Sequence, residues 1–306
     1  MNRKPASVWL IATIAVLATV AAACGSTGGG GASTPKATIT VAGFNFPESS
    51  ILAEMYSQAL EHSGYTVKRK LRLGTREIVA PAIKSGDIDL YPGYAATDLE
   101  YYNNKAREAS GDVTATTAKL NSHLDPLGLE ALTPSAAVDQ NAFAVTKATA
   151  DKYHLTKLSD LAPIGNQLVL GAGPECPTRP FCQPGLQQTY GIHFKDFKAL
   201  DTDGPATRAA FKNGTIDVGL VFSSDGDLTA LGLIVLEDDK HLENADNVVP
   251  IIRKTVATDE VKSILNKISA ALTTKDLITL NSQVALQHQD PDAVAKAFLQ
   301  QHNYFS

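Results

Sequence analysis

The three cysteines have neighbours that indicate what each can do. Cys24 follows three alanines at residues 21–23 and precedes Gly25. Small residues directly before a cysteine, at the end of an apolar run, are the pattern of a bacterial lipobox, in which the cysteine receives a lipid. Two alternatives stay open: an uncleaved N-terminal anchor, or a cleaved signal that leaves a free cysteine. Each of the three places the remainder of the chain outside the membrane.

The segment before Cys24 has the composition of an export signal. Arg3 and Lys4 supply a positive start, and residues 8–20 form an uncharged apolar run of 13 residues. This run is shorter than the roughly 20 residues that a spanning helix needs. We therefore predict a lipoprotein signal peptide over residues 1–23 and a flexible Gly-rich tether over residues 24–36. The predicted location is the cell membrane, lipid-anchored on its extracytoplasmic face.

The other two cysteines, Cys176 and Cys182, are separated by the segment PTRPF. An even pair in an oxidising compartment predicts a disulfide, which here would close a short loop. A loop of this size contributes about 2 kcal/mol in the chain-entropy model. No second Cys or His pair accompanies them, so a zinc site has little support.

Side chains for catalysis or metal binding do not cluster in the sequence. It contains no Gly-x-Ser-x-Gly, phosphate-loop or dinucleotide motif, and its seven histidines are scattered. The acidic pairs Asp87/Asp89 and Asp238/Asp239 are interpreted as solvated carboxylates. We predict no catalytic residue, no metal and no cofactor. Without its first 23 residues the chain carries 25 Lys+Arg and 32 Asp+Glu, net −7, which argues against nucleic acid as a partner.

The elements that position these residues alternate between strands and helices. Residues 38–44 (TITVAGF) form a predicted strand, and a helix follows from Pro47. Residues 67–73, 76–85 and 88–91 continue as strand, helix and strand, with a kink expected at Pro81. Further strands are predicted at residues 141–146, 168–172, 197–200, 233–236 and 248–253, and helices at 259–272, 274–286 and 292–301. This order is typical of an α/β protein with parallel strands.

An internal repeat indicates two lobes of similar construction. Residues 82–90 (AIKSGDIDL) recur as residues 210–218 (AFKNGTIDV), each a helix end, a glycine and a strand start. Ligands of open α/β sheets bind beyond the carboxyl ends of the strands. The repeat therefore predicts that residues 91–97 (YPGYAAT) and 221–225 (VFSSD) are loops that face each other across a ligand cleft.

Several motifs at these strand ends resemble the substrate-binding proteins of osmoprotectant ABC importers, which bind glycine betaine, choline or carnitine. The motifs are residues 46–48 (FPE), 86–97 (GDIDLYPGYAAT), 179–180 (RP) with 184–191 (PGLQQTYG), and 236–241 (LEDDKH). The resemblance implies an α/β, two-lobed type II periplasmic-binding-protein fold with the ligand cleft between the lobes and two crossover segments. It implies residues 37–142 plus 246–306 as lobe 1 and residues 143–245 as lobe 2, with a hinge near Asn141 and Ala245.

The resemblance also implies an aromatic cage around a quaternary ammonium and a basic side chain for a carboxylate. Family tyrosines correspond to Tyr94 and, as phenylalanines, to Phe143 and Phe222. The carboxylate-binding arginine corresponds to Arg179. The ligand-binding set implied in this way also contains Thr97, Asn141, Asp246 in place of the last tyrosine, and Phe44 or Ser49 near the first strand.

The predicted function is therefore capture of a quaternary-ammonium osmoprotectant and its delivery to an ABC permease and ATPase by a monomeric protein. The altered cage keeps a second ligand class open, a more apolar or aromatic small molecule that stacks on the same rings. From another class, a surface enzyme or an adhesion lipoprotein could reuse the fold. The sequence does not show the acid–base constellation that an enzyme needs, and an adhesin would usually show repeats or an exposed apolar patch.

Overall fold

A computed structural model of the chain describes residues 36–305, and the structure below refers to that range. The predicted signal peptide, Cys24 and nearly all of the predicted tether lie outside the described residues. Within residues 36–305 no helix combines the length and apolar character needed to cross a membrane.

The strands and helices of this region follow the predicted alternation. The strands are, in chain order, β1 (Thr38–Phe44), β2 (Thr66–Gly74), β3 (Leu90–Tyr94), β4 (Leu129–Ala131), β5 (Asn141–Thr146), β6 (Val169–Ala172), β7 (Asp196–Ala199), β8 (Val218–Phe222), β9 (Leu233–Val235) and β10 (Val248–Arg253). The helices are α1 (Pro47–His62), α2 (Arg76–Ser85), α3 (Ala95–Tyr102), α4 (Val113–Leu124), α5 (Lys147–Tyr153), α6 (Gln183–Gly185), α7 (Pro205–Lys212), α8 (Asp259–Ala271), α9 (Thr274–Ala285) and α10 (Pro291–Gln301).

The strands form two five-stranded sheets with the same construction. The first has the order β2-β1-β3-β10-β4 and the second the order β7-β6-β8-β5-β9. In each sheet the first three strands are parallel, and the fourth is antiparallel to both of its neighbours. We call the elements packed around these sheets the first half and the second half of the protein.

The sequence repeat occupies equivalent positions in the two halves. It covers the end of α2 and the approach to β3 in the first half, and the end of α7 and the approach to β8 in the second. Gly86 and Gly214 adopt φ angles of 86° and 67°, a left-handed conformation that glycine adopts without steric cost. Strands β3 and β8 therefore end at matching places in their sheets.

The segments between the halves pair with each other. Val138, before β5, forms an antiparallel bridge with Asn247, before β10. The Asp139 amide donates to the Asp246 carbonyl oxygen at 3.1 Å. Both crossovers thus run side by side, and each leads into an antiparallel strand that lies next to β3 or β8.

Helix α1 holds the first strand end in place. It starts with Pro47, whose fixed φ suits a first helical turn, and it packs against α10. Ser49 Oγ accepts a hydrogen bond of 2.8 Å from the Phe44 amide. The helix start therefore fixes Phe46 and Glu48 next to the carboxyl end of β1. Residues 91–94, predicted as a loop, belong instead to β3, because β10 pairs with them from Tyr91 to Tyr94.

Candidate functional site

A cavity lies between the two halves, where β3 and β8 end. It contains about 530 Å³ of space between atoms, including the part that is open to solvent, and residues of both halves line it. The lining combines aromatic, acidic and basic side chains, which are described in turn below.

Three aromatic rings from both halves meet at the cavity. Phe46 and Tyr94 come from the first half and Phe222 from the second. The ring centroids of Phe46 and Phe222 are 5.0 Å apart, and those of Phe46 and Tyr94 are 6.1 Å apart. The Phe44 ring stacks on Phe46 and on Tyr94. The face of an aromatic ring attracts cations because its π system is electron-rich.

Glu48 joins the halves through a buried hydrogen-bond network. Its carboxyl group accepts from the Tyr94 hydroxyl at 2.8 Å, from Ser224 Oγ at 2.5 Å and from Asn281 Nδ2 at 2.6 Å. Burial raises the pKa of Glu48, although these three hydrogen bonds oppose the rise. Tyr94 is thereby held at the cavity by a group that also contacts the second half.

Asp139 shares the hydroxyl of Ser224 with Glu48. Ser224 Oγ lies 2.7 Å from Asp139 Oδ1, in addition to its contact with Glu48. One hydroxyl hydrogen cannot satisfy two carboxylates, so one of the two carboxyl groups carries a proton. Burial, together with the charge of Glu48, raises the pKa of Asp139 well above its usual value, which agrees with this count.

Asp246 is a buried carboxyl group that takes both donors of Thr97. The Thr97 amide donates to Asp246 Oδ1 at 2.8 Å, and the Thr97 hydroxyl donates to Oδ2. Burial raises the pKa of Asp246 to about 6 against these hydrogen bonds. Because the Thr97 hydroxyl hydrogen is donated to Asp246, Thr97 can affect a ligand only through Asp246.

Arg179, in the second half, pairs with Glu77 of the first half. Its Nη2 lies 2.9 Å from Glu77 Oε2 and 3.1 Å from Oε1. Burial tends to raise the pKa of Glu77, but the charge and hydrogen bonds of Arg179 outweigh it and lower the pKa to about 2. The Arg179 guanidinium group, which the sequence predicted to bind a ligand carboxylate, is therefore already paired with a carboxylate of the protein.

A second arginine, Arg76, lies on the first-half side of the cavity. It is buried, and its Nε donates to Asp98 Oδ1 at 2.8 Å. Its guanidinium carbon lies 4.9 Å from the centre of the Phe44 ring. The charge of Arg76 is thus matched by Asp98 and covered by an aromatic face.

Six of the eight ligand-binding residues named from the sequence line this cavity, and two do not. Phe44 is 2% exposed and packs behind the lining, with its ring 5.8 Å from Phe46. Phe143 is 1% exposed in the core of the second half, next to Leu220, which does line the cavity. The six that the cavity brings together are Tyr94, Thr97, Asn141, Arg179, Phe222 and Asp246.

Nine lining residues were not named as ligand-binding from the sequence, among them Phe46, Arg76, Asp139 and Glu175. Phe46, Arg76 and Glu175 lie two or three residues after the ends of β1, β2 and β6, so the rule that places ligands beyond strand ends could have found all three. Asp139 precedes β5, and no local pattern distinguishes it from an ordinary surface residue.

The predicted disulfide is confirmed. Cys176 and Cys182 are bonded, with their Cα atoms 5.2 Å apart, and both line the cavity. The bridge closes the loop after β6 that carries Arg179. Asn141 Nδ2 donates to the Phe181 carbonyl oxygen of the same loop at 2.9 Å, which ties the loop to β5.

Comparison with known proteins assigns the family. Residues 37–301 match the family described as "OpuAC: Substrate binding domain of ABC-type glycine betaine transport system". The chain belongs to this family. Its members are substrate-binding proteins of transporters rather than enzymes, and such proteins act outside the cytoplasm.

Relatives from several bacteria align with most of the chain. It is 28% identical over 270 residues to the "Glycine betaine-binding protein YehZ" of Escherichia coli, covering 84% of this chain and 88% of the relative. It is 28% identical over 298 residues to the "Carnitine transport binding protein OpuCC" of Listeria monocytogenes, covering 92% of each. The "Ergothioneine transport permease/ergothioneine binding protein EgtU" of Helicobacter pylori is 28% identical over 256 residues, covering 83% of this chain and 45% of that protein.

Solved structures give the fold. A crystal structure of a "glycine betaine/carnitine/choline ABC transporter" superposes with a TM-score of 0.67 at 26% identity, covering 88% of this chain and all of the other. The closed, glycine betaine-bound lactococcal OpuAC superposes with a TM-score of 0.62 at 16% identity, covering 89% of this chain and all of the other. The protein has the type II periplasmic-binding-protein fold, as predicted.

Proposed function

We propose that this protein captures a quaternary-ammonium osmoprotectant, namely glycine betaine, choline or carnitine, in the cavity between its halves and delivers it to an ABC permease. The observation that carries the proposal is the meeting of Phe46, Tyr94 and Phe222 at one cavity that also contains carboxyl groups. A trimethylammonium group has no N–H to donate, so its recognition depends on aromatic faces and negative charge. Each face contributes about 0.5–2 kcal/mol, depending on desolvation.

The carboxyl groups of the cavity favour a cation. Asp139 and Asp246 are both 4% exposed and lie among the lining residues. A buried carboxylate without an opposite charge is costly, and a bound cation reduces that cost. In this proposal the cage therefore consists of Phe46, Tyr94 and Phe222, complemented by charge. The sequence predicted Phe143 rather than Phe46, and Phe143 supports the cage from the core.

Arg179 has a more conditional role. It would bind the carboxylate of betaine or carnitine only by sharing or exchanging Glu77, its partner at 2.9 Å. Choline has no carboxylate and leaves the Arg179–Glu77 pair intact. The proposal therefore assigns Arg179 to carboxylated ligands alone.

The wider setting of the proposal follows from the sequence. We propose that residues 1–23 are removed, that Cys24 carries the lipid, and that the monomeric protein works at the outer face of the cytoplasmic membrane. We keep the lobe boundaries predicted from the sequence, with closure about the paired crossovers near Asn141 and Ala245.

Isothermal titration with betaine, choline, carnitine and proline tests the function. We expect binding of at least one of the first three compounds, with proline as the poor ligand because it lacks the trimethylammonium group. Arg179→Ala should weaken betaine and carnitine more than choline. The matched control is Arg69→Ala, which removes an arginine paired with Glu54 and Glu61 outside the cavity. Absence of heat from all four compounds at millimolar concentration would refute the proposal.

One observation on the cavity and one on a relative favour a second candidate ligand. The cavity presents Phe46 and Phe222, which lack hydroxyl groups, and one relative is described as an ergothioneine binding protein. Ergothioneine is a trimethylammonium carboxylate that also carries an aromatic ring. Including it in the titration separates the two candidates: binding of ergothioneine alone would replace the osmoprotectant assignment and keep the capture role.

A further inference from the structure

Glu175 lines the cavity and carries a buried carboxyl oxygen that accepts no hydrogen bond from residues 36–305. It lies in the loop after β6, lines the cavity, and its side chain is 9% exposed. Its Oε1 accepts from Thr202 Oγ1 at 3.2 Å and lies 3.8 Å from Arg179 Nη1. Its Oε2 is buried, and no donor within residues 36–305 reaches it.

The backbone makes room for this carboxylate. A Cβ atom added to Gly173 would lie 2.8 Å from Glu175 Oε2, closer than such atoms approach each other in proteins. Gly173 lines the same cavity. The glycine therefore allows the carboxylate to lie against the chain at the cavity wall, where a side chain would displace it.

Most acceptors around it are already occupied. Both carboxyl oxygens of Asp246 accept from Thr97, and Asp139 Oδ1 accepts from the Ser224 amide at 3.2 Å. Glu243 also has two buried carboxyl oxygens without a partner in the described chain, but it does not line the cavity, and burial raises its pKa well above the usual value. A buried acceptor without a donor is unfavourable and calls for a specific partner.

We propose, on the basis of the function proposed above, that Glu175 Oε2 accepts a hydrogen bond from an O–H or N–H group of the ligand. The ligand class is then narrower than quaternary ammonium compounds as a whole: it comprises those that also carry a donor. Choline and carnitine carry a hydroxyl group, and ergothioneine carries a ring N–H. Betaine has no donor and is the weaker ligand.

Carnitine and γ-butyrobetaine form a matched pair for the test, because they differ by a single hydroxyl group. Titration calorimetry of the whole protein should show carnitine binding about 10- to 100-fold more tightly, as expected for a hydrogen bond to a charged acceptor. Glu175→Ala should bring this ratio close to one by weakening carnitine. Glu175→Gln, which keeps an acceptor oxygen, should leave an intermediate ratio, and Gly173→Ala should lower the ratio without removing any charge.

The ratio separates a ligand contact from a structural role. Both compounds are measured on the same preparation, so partial unfolding of a variant does not change the ratio of their affinities. Glu130→Ala, which removes a carboxylate paired with Lys262 away from the cavity, is the control and should keep the wild-type ratio. A wild-type ratio near one, or a ratio unchanged in both Glu175→Ala and Gly173→Ala, overturns the inference and leaves the proposed function standing. If none of the quaternary ammonium compounds binds, both this inference and the proposed function are refuted.

Discussion

Asp246 connects the stability of the protein to pH in a way that can be calculated. Its side chain is 4% exposed, and burial raises its pKa from 3.8 to about 6. A raised pKa means that the folded state favours the protonated form. The contribution to stability is therefore fully present below pH 4 and is lost as the pH rises through 6. A shift of about 2 pKa units corresponds to about 3 kcal/mol.

Asp246→Asn keeps the shape of the protonated side chain and cannot ionise. Its amide can accept from the Thr97 amide and donate to the Thr97 hydroxyl oxygen, so the contacts of the carboxyl group have replacements. We expect the variant to gain up to about 3 kcal/mol in unfolding free energy at pH 7 and less than about 1 kcal/mol at pH 4. Urea unfolding of both proteins without ligand, from pH 4 to 8, measures this difference.

The control for this titration is Asp151→Asn, which changes an exposed aspartate paired with Lys147. The difference in unfolding free energy between Asp151→Asn and the wild type should not grow comparably with pH. The reasoning about Asp246 is refuted if Asp246→Asn changes stability equally at pH 4 and pH 7, or if it destabilises the protein at pH 7. Unfolding should be followed by two probes, because the two halves can unfold separately and the free energies assume a two-state transition.

Ligand binding provides an independent check on Asp246. A cation in the cavity favours the ionised carboxylate, so binding of choline near pH 6 should release a proton. The affinity of the wild-type protein should rise with pH up to about 7 relative to that of Asp246→Asn. Parallel pH profiles for the two proteins would mean that the ligand cation does not interact with Asp246.

Four further variants address the aromatic cage, the Arg179 guanidinium and the disulfide-bonded loop. Phe222→Leu should weaken choline binding about 2- to 30-fold in titration calorimetry. Phe222→Tyr keeps a ring, and its choline affinity should stay close to that of the wild type. Equal losses of affinity in the two variants would contradict a cation–π role. Glu77→Gln frees Arg179 and should strengthen carnitine binding about 2- to 5-fold without strengthening choline binding. Strengthened choline binding with unchanged carnitine binding would exclude competition between Glu77 and the ligand carboxylate for Arg179. Replacing Cys176 and Cys182 together by serine should lower the unfolding free energy by about 2 kcal/mol in denaturant titrations, and no loss would mean that the unfolded loop is already ordered.

Local patterns predicted most of the framework. Strand β1 and helix α2 have the predicted bounds, because apolar residues and glycine signals mark them clearly. Helix α4 was not identified, and its buried face explains why: it includes Thr116 and Thr117 beside Leu120 and Leu124. Threonine has a low helix propensity and does not mark an apolar face. Only tertiary packing shows that these hydroxyl-bearing side chains point inwards.

The site was predictable where it follows from strand ends. Tyr94 and Phe222 end β3 and β8, and the repeat in the sequence had already placed those strands in equivalent positions. Residues within a strand are harder to assign. Phe143 lies two residues inside β5, opposite Leu220 of β8, so both side chains point to the same face of the sheet. Both belong to the core of the second half, but only Leu220 also lines the cavity, and strand alternation alone does not separate the two.

The contacts that bridge the halves join residues far apart in the chain, and they affect which ligand groups matter. Arg179 and Glu77 are 102 residues apart, and Ser224 and Glu48 are 176 residues apart, so no local motif contains either pair. Because Glu77 already occupies Arg179, a ligand carboxylate exchanges one ion pair for another and gains little net free energy. Among residues 36–305, the cage rings and Glu175 Oε2 have no such competitor. Selectivity in this cavity should therefore depend on the cation and on a hydrogen-bond donor of the ligand more than on its carboxylate.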